Sequence, residues 1–256
     1  MKQSALDKIP FCIHSIEAEK QAEILAQMPF CNPFFCFAYL TEGEVLAEIE
    51  GKSVLLGPGQ FVIVPENKTI FVHYFKDCAG FDGFFRINFL KDASYPVLRN
   101  TEPLIQSFWF DDAVFIGALM KRMLVASGDN DKAFLQSAMD LLLGQLRPGG
   151  HIAVVPEKFL KMVFDRQQVP LSVSEYADML HVTANYLNKT VKAHTHRTAI
   201  DWIEIARLNL AKKLLRNPAL SIAEIAEKTG MNDQSYFSRF FKKKTGLTPS
   251  QFRNGL

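Results

Sequence analysis

The sequence predicts an α+β protein with more than one domain, and three observations support this. Residues from about 35 to 90 are rich in short Val-, Ile- and Phe-containing runs, residues 111–146 have helical periodicity, and everything after about 156 is helical. With 48% hydrophobic and 22% charged residues, 256 residues are enough for two ordinary domains with their own cores.

The predicted strands are EVLAEIE, KSVLL, QFVIVP and IFVHYF, and turn residues separate them. The intervening segments EGK, GPGQ and PENK each contain a glycine, proline or asparagine suited to a turn. Closely spaced strands joined in this way are typical of an antiparallel barrel or sandwich.

Two helices are predicted between 111 and 146, separated by the turn GDN. Their apolar residues either pack on the barrel or form a dimer interface. One helix carries the stripe Val114, Phe115, Ala118, Leu119 and Met123, and the other carries Leu135, Met139, Leu142 and Leu146. A linker with Gly149 and Gly150 as its flexible point follows.

Charge is divided unevenly along the chain. Residues 156–256 contain 16 Lys and Arg against 9 Asp and Glu, whereas the remainder contains 13 against 18. The last part is therefore basic by seven charges and the rest acidic by five, although the whole chain carries only +2. A basic region attached to an acidic one suggests that the basic region meets a polyanion.

The basic region contains an internal repeat, which indicates how its helices are arranged. SVSEYAD at 172 matches SIAEIAE at 221, and the following helices, beginning near Asn185 and Ser235, match at a spacing of fifty residues. Each copy is a helix, a turn and a second helix with a predicted N-cap, Thr183 or Asp233. That pattern predicts two helix-turn-helix units, 172–195 and 221–245, with positive φ at His181 and Gly230 in their turns.

The long helix between the copies is predicted to span about 27–30 Å, close to the ~34 Å between successive major-groove faces. In the second copy, the aromatic side of the last helix is expected to be core. Its members are Tyr236, Phe237, Phe240 and Phe241.

Residues 158–254 resemble the DNA-binding domain of AraC/XylS-type transcriptional regulators, most closely in SIAEIAEKTGMNDQSYFSRFFKKKTGLTPSQFR. The resemblance implies that seven residues face the DNA bases: Asn185, Asn188, Lys189, Gln234, Ser235, Ser238 and Arg239. The first copy departs from the family pattern at Val191, where an aromatic is common, and at His196, where a glycine usually ends the helix. GEVLAEIEGKSVLLGPGQFVIVPENK resembles, more loosely, the cupin-type sensor barrel often attached to such domains.

The hydrogen-bonding groups of these side chains suggest which of them contact bases and which contact phosphates. Arg239 can bridge a guanine, and Asn185 or Gln234 can bond an adenine edge. Four lysines are expected to neutralise phosphates instead: Lys192, Lys242, Lys243 and Lys244. The alternative for any one lysine is an ordinary solvated helix face.

Other chemistry is expected to be absent. The H-x-H of His194 and His196 has no Cys, Asp or Glu beside it, and the strands offer only His73, so neither a metal site nor a cofactor is predicted. Cys12, Cys31, Cys36 and Cys78 form no C-x-x-C pair and are expected to be free thiols. Neither a leader nor an apolar run long enough for a bilayer is present, so the protein is expected in the cytoplasm.

The aromatic residues at the start of the strand region have two open interpretations. They line a cavity for a small effector, or they are ordinary barrel core. The residues concerned are Phe34, Phe35, Phe37 and Tyr39.

The sequence thus predicts three regions: a cupin-like sensor domain at 1–110, a coupling or dimerisation segment and linker at 111–150, and a DNA-binding domain at 156–256. The expected function is sequence-specific regulation of transcription, without enzyme activity. The expected partners are promoter DNA, a small effector, RNA polymerase and a second copy of the chain. Two rivals remain: a cupin enzyme tethered to DNA, and a non-specific architectural DNA binder.

Overall fold

The computed structural model describes residues 10–16, 30–99, 107–148, 154–164 and 169–255. The chain divides into two compact units, Met1–His151 and Ile152–Leu256. The predicted linker glycines, Gly149 and Gly150, lie outside the described residues. Among the helices that are described, none is both long enough and apolar enough to span a membrane.

The first unit contains an antiparallel sheet, as predicted. Its order is β1-β6-β3-β5-β7-β8, with β2 beside β6 and β4 beside β3. The strands are β1 (Phe11–Ile16), β2 (Phe30–Asn32), β3 (Phe35–Ile49), β4 (Lys52–Leu56), β5 (Phe61–Val64), β6 (Lys68–Phe85), β7 (Ser107–Trp109) and β8 (Arg147–Pro148).

Two strands are much longer than predicted. β3 and β6 pair from Phe35↔Phe85 to Ile49↔Ile70, with register shifts in between. Glycine within these strands serves the close approach of the neighbouring strand. A Cβ on Gly80 would lie 2.1 Å from the carbonyl oxygen of Tyr39. Glycine is needed there because any side chain would collide with the adjacent strand.

The predicted turn in EGK is a two-residue hairpin between β3 and β4. Glu50 and Gly51 both have positive φ, at 49° and 77°, and they connect the paired residues Ile49 and Lys52. Positive φ at both central residues is the geometry that matches the twist of antiparallel strands.

The two faces of the sheet bury different cores, because alternate residues of a strand point to opposite sides. One face packs its aromatic residues against two helices, α2 (Ala113–Gly128) and α3 (Lys132–Gly144). The other face buries an aliphatic cluster that includes Leu40, Val62 and Val64. A short helix, α1 (Pro96–Arg99), precedes β7.

The buried side of α2 differs from the predicted stripe. Its buried residues are Ile116, Met120, Met123 and Ala126. Of the predicted stripe, Met123 is buried, whereas Val114 and Phe115 are exposed on another side of the helix. In α3 the predicted residues Leu135, Met139 and Leu142 are buried.

The described part of the second unit is helical. Its helices are α4 (Val154–Val163), α5 (Val173–Met179), α6 (Ala184–Thr195), α7 (Ala199–Leu215), α8 (Ile222–Lys228), α9 (Gln234–Thr245) and α10 (Pro249–Asn254). The connecting helix α7 has 17 residues, or about 25 Å. It is shorter than predicted because its last turn closes at Arg216, before the asparagine–proline pair that ends the predicted segment.

Candidate nucleic-acid interface

The first helices of the two repeats begin in the same way. Ser172 and Ser221 are N-caps whose side chains accept from the backbone N–H of Glu175 and Glu224. Each glutamate also accepts a hydrogen bond in the opposite direction. Its Oε2 accepts from the backbone N–H of the serine at 2.8 Å in the first copy and 2.7 Å in the second. These hydrogen bonds stabilise the carboxylate forms and hold the pKa of both glutamates below the ordinary value. The matched serine and glutamate positions of the repeat are therefore two capping boxes.

The turns of both copies have the predicted left-handed backbone. His181 has φ of 56° and Gly230 has φ of 76°. The second helices also end alike, with His196 at 58° and Gly246 at 78°. The first copy thus uses histidine at both places where the second uses glycine.

The two recognition helices, α6 and α9, have the predicted N-caps. The Thr183 hydroxyl accepts from the backbone N–H of Tyr186, and the Asp233 carboxylate accepts from that of Ser235. Near the other end, the Thr195 hydroxyl bonds the carbonyl of Val191 in α6 at 2.8 Å. Thr245 makes the equivalent bond to the carbonyl of Phe241 in α9. Both helices thus begin directly after a side-chain N-cap and have the same length of 12 residues.

The apolar sides of these helices are buried, with one correction. Phe237, Phe240 and Phe241 are core, as predicted. Tyr236 is 51% exposed, and its counterpart Tyr186 is 53% exposed, so the prediction that Tyr236 is core was wrong. Both tyrosines lie on the edge between the apolar and polar sides, where periodicity alone does not decide exposure.

Five of the predicted base-facing residues are exposed, and two are half-buried. The exposed ones are Asn185, Lys189, Gln234, Ser235 and Arg239. Asn188 and Ser238, which occupy the same position in their copies, are half-buried. These assignments stay predictions.

Asn188 differs from Ser238 in what it already contacts. Its Oδ1 accepts from the backbone N–H of Ala199 at 3.2 Å. The residue equivalent to Ala199 in the second copy is Pro249, which has no N–H to donate. The bond to Ala199 uses one of the two acceptor positions of the Asn188 Oδ1 and restrains the orientation of the amide that a two-bond contact with adenine would need.

The predicted phosphate contacts are also unequal. Lys192, Lys242, Lys243 and Lys244 are all exposed. The Nζ of Lys244 also lies 2.6 Å from Oε2 of Glu204 on α7. Lys244 is therefore already paired with a carboxylate of its own chain.

The predicted effector residues lie in packed surroundings. Phe35, Phe37 and Tyr39 belong to the aromatic core that faces α2 and α3. Phe34 stacks on Phe84, with ring centroids 5.0 Å apart, outside that cluster. The four residues do not line one common space, and their role in effector binding stays a prediction.

Within the described residues, no group of three His, Cys, Asp or Glu side chains could hold a metal ion. His194 uses its Nδ1 on the carbonyl oxygen of Thr190 at 2.8 Å. The sequence suggested that His73 stands alone, but its Nε2 lies 3.0 Å from Oε2 of Glu48 on the neighbouring strand. Burial raises the pKa of Cys36 to about 12, which keeps that thiol protonated.

Comparison with known proteins shows what the repeat is similar to. A family model for a helix-turn-helix domain matches residues 176–255. The arabinose operon regulatory protein of Escherichia coli is 45% identical over 58 residues, covering 23% of this chain and 20% of that protein. The uncharacterized HTH-type transcriptional regulator YobQ of Bacillus subtilis is 24% identical over 225 residues, covering 86% of each chain.

Among solved structures, the C-terminal domain of AraT, a response regulator from Geobacillus stearothermophilus, is 29% identical. It covers 42% of this chain and 89% of that one, with a TM-score of 0.39. In the sequence comparison, this chain covers only 29–40% of the length of three other regulatory proteins that it matches. The C-terminal region of this chain, with its two capped and matched helix-turn-helix units, thus matches a helix-turn-helix family model and is similar in sequence to part of the arabinose operon regulatory protein.

Proposed function

We propose that this protein is a sequence-specific DNA-binding regulator of transcription that acts on double-stranded promoter DNA in the cytoplasm. One observation carries the proposal: two helix-turn-helix units of the same construction each expose the polar side of a recognition helix. In such units the second helix enters the major groove. With α7 about 25 Å long between them, α6 and α9 are suited to successive major-groove faces on one side of a duplex.

In this proposal Arg239 bonds O6 and N7 of a guanine, and Gln234 or Asn185 bonds an adenine edge. All three side chains are exposed, and Gln234 and Asn185 lie in the first turns of α9 and α6, which supports these roles. Lys192, Lys242 and Lys243 neutralise phosphates, which fixes the position of the protein on DNA without reading its sequence. RNA polymerase is a further partner that regulation at a promoter would involve.

The test uses DNA selected by the full chain from a random duplex library. Arg239→Ala should weaken binding to the selected duplex by about 1–3 kcal/mol and should relax the preference at one base pair. Lys242→Ala should weaken binding to selected and unselected duplexes alike, with a shallower dependence on salt. Fluorescence anisotropy with duplexes substituted one base pair at a time measures both effects.

The outcome also separates the rival functions. If Arg239→Ala lowered the affinity for every duplex equally, the protein would be a non-specific architectural binder. A stoichiometric metal and a turnover in the purified chain would favour the tethered cupin enzyme, but the described residues include no three-residue cluster able to ligate that metal.

We also propose that the N-terminal unit is a cupin-like sensor that binds a small effector. Its antiparallel sheet with a buried aliphatic cluster on one face supports this role. The effector would favour one arrangement of the two units over another and so shift the population able to reach both half-sites. Native mass spectrometry of the full chain should detect a co-purified small molecule, and DNA affinity should change when it is removed by unfolding and refolding. An unchanged affinity would remove the sensor role.

The middle helices support a homodimer in this scheme. On α2 Val114 is 86% and Val125 is 55% exposed, although the opposite side of the helix is buried. A second copy of the chain covering this surface would remove these side chains from water.

A further inference from the structure

One ion pair connects the second recognition helix to the helix between the two repeats. Lys244 lies in the last turn of α9 and Glu204 lies in the first half of α7, with 2.6 Å between Nζ and Oε2. The two side chains are only 37% and 31% exposed, so the pair is partly shielded from water. Lys242 and Lys243 have no carboxylate within ion-pair distance in the described part of the chain.

A second carboxylate lies near the same lysine. Asp201 precedes Glu204 by one turn on α7, so the two residues are neighbours on the helix surface. Burial acts to raise the pKa of Asp201, but hydrogen bonds from Thr198 and the charges of Arg197 and Lys244 outweigh it and leave the pKa below its ordinary value. Lys244 therefore pairs directly with Glu204 and lies close enough to Asp201 for its charge to act on that carboxylate.

The apolar attachment of α9 lies elsewhere on α7. Phe237 and Phe241 pack with Ala211 and Leu215, which belong to the second half of that helix. Near Glu204, side chains do not fill the space: a cleft of about 210 Å³ lies there, lined in part by Tyr236 and Phe240. The recognition helix thus touches α7 at two separate places, a packed core and an ion pair beside a cleft.

We propose that Lys244 and Glu204 are positioning residues, which fix the angle of α9 on α7 and so set where the second recognition helix meets DNA. The inference rests on the DNA-binding function proposed above. A helix of 12 residues is about 18 Å long, so a tilt of about 5° moves its end by about 1.5 Å. A displacement of that size is enough to break the two-bond contacts by which a base is read.

The two possible roles of Lys244 predict opposite effects of Glu204→Gln. If Lys244 contacts phosphate, removing the competing carboxylate should strengthen binding to any DNA, because the domain becomes more positive. If the pair positions α9, the same substitution should weaken binding to the selected duplex by about two- to fivefold, as expected for a partly exposed ion pair. The salt dependence should then be unchanged, and an unselected duplex should not be bound more weakly.

Glu227→Gln is the matched control, because it removes the same charge from an exposed glutamate of the second copy. It should leave the preference for the selected duplex unchanged. The exchanged pair Glu204→Lys with Lys244→Glu should recover at least half of the affinity lost in Lys244→Glu alone. Tight binding by Glu204→Gln, or no recovery in the exchanged pair, would overturn the inference. A failure to select any preferred duplex would instead overturn the proposed function itself.

Discussion

At the residue scale, two left-handed glycines of the second repeat allow two costs of adding a side chain to be measured separately. These costs are backbone strain and crowding by neighbouring atoms. Gly230 and Gly246 have nearly the same φ, 76° and 78°. A Cβ on Gly246 would meet no atom within 4 Å, whereas one on Gly230 would lie 3.2 Å from Cγ1 of Val169 and 3.3 Å from the carbonyl oxygen of Pro170. A side chain at position 246 would therefore meet backbone strain alone, whereas one at position 230 would meet backbone strain and crowding by neighbouring atoms.

We expect Gly246→Ala to lower the free energy of unfolding by about 1–2 kcal/mol, the cost of a left-handed alanine. Gly230→Ala should cost more, because the neighbouring atoms must also move. Chemical unfolding followed by tryptophan fluorescence measures both. The chain has two tryptophans, and Trp109→Phe leaves only Trp202, which is buried in the helical unit. Equal costs for the two glycine variants would contradict the crowding argument.

Some of these residue-scale features could be predicted from the sequence and others could not. Thr183, Asp233, His181 and Gly230 were predicted, because capping and positive φ depend on local chemistry. The exposure of Tyr236 was missed, because a residue on the edge of an apolar side is covered or exposed according to its neighbours. The bond between Asn188 and Ala199 and the pair of Lys244 with Glu204 depend on how helices meet, which one sequence does not reveal.

At the element scale, the capping boxes connect helix stability to pH. The backbone and side-chain bonds of Ser221 hold the pKa of Glu224 below its ordinary value of 4.5. A carboxyl group whose pKa is lowered on folding stabilises the fold above the unfolded pKa. That contribution is lost as the pH falls through the lowered, folded-state value.

We expect Ser221→Ala to lower the free energy of unfolding by about 1 kcal/mol at pH 7, the usual cost of losing an N-cap. The difference from the parent chain should shrink as the pH falls below the ordinary glutamate value and through the lowered pKa of Glu224, since the parent then loses its own carboxylate bonds. Unfolding of the Trp109→Phe chain and its Ser221→Ala variant at several pH values tests this. Ser174→Ala, at an exposed helical position, should show no such pH dependence.

The elements themselves were predicted to different degrees. Helices of the second unit follow the sequence closely, because caps and 3.6-residue periodicity mark their ends. Strands β3 and β6 were predicted too short, because their length comes from pairing with each other, from Phe35↔Phe85 to Ile49↔Ile70, and that pairing is not visible in one sequence. The stripe on α2 was assigned partly to the wrong side, because that helix is apolar around most of its circumference.

At the scale of the whole molecule, the exposed side of α2 leads to a test of self-association. Introducing aspartate at both Val114 and Val125 should convert a dimer into a monomer, because burying two carboxylates in an apolar interface is unfavourable. Analytical ultracentrifugation of the full chain measures the change. Ala133→Asp, at an exposed position of α3, should leave the dimer intact. A parent chain that sediments as a monomer would remove the dimer from the proposal.

The bond between Asn188 and Ala199 also has a consequence for changing the DNA target of this protein. In the first repeat, the side chain at this position helps to hold the next helix, so replacing it risks the fold. In the second repeat, Pro249 has no N–H, so Ser238 cannot accept the equivalent hydrogen bond from the start of the next helix. Engineering of a new operator preference should therefore vary residue 238 and leave residue 188 alone. A substitution at residue 238 can thus change base contacts without disturbing the start of a neighbouring helix through this bond.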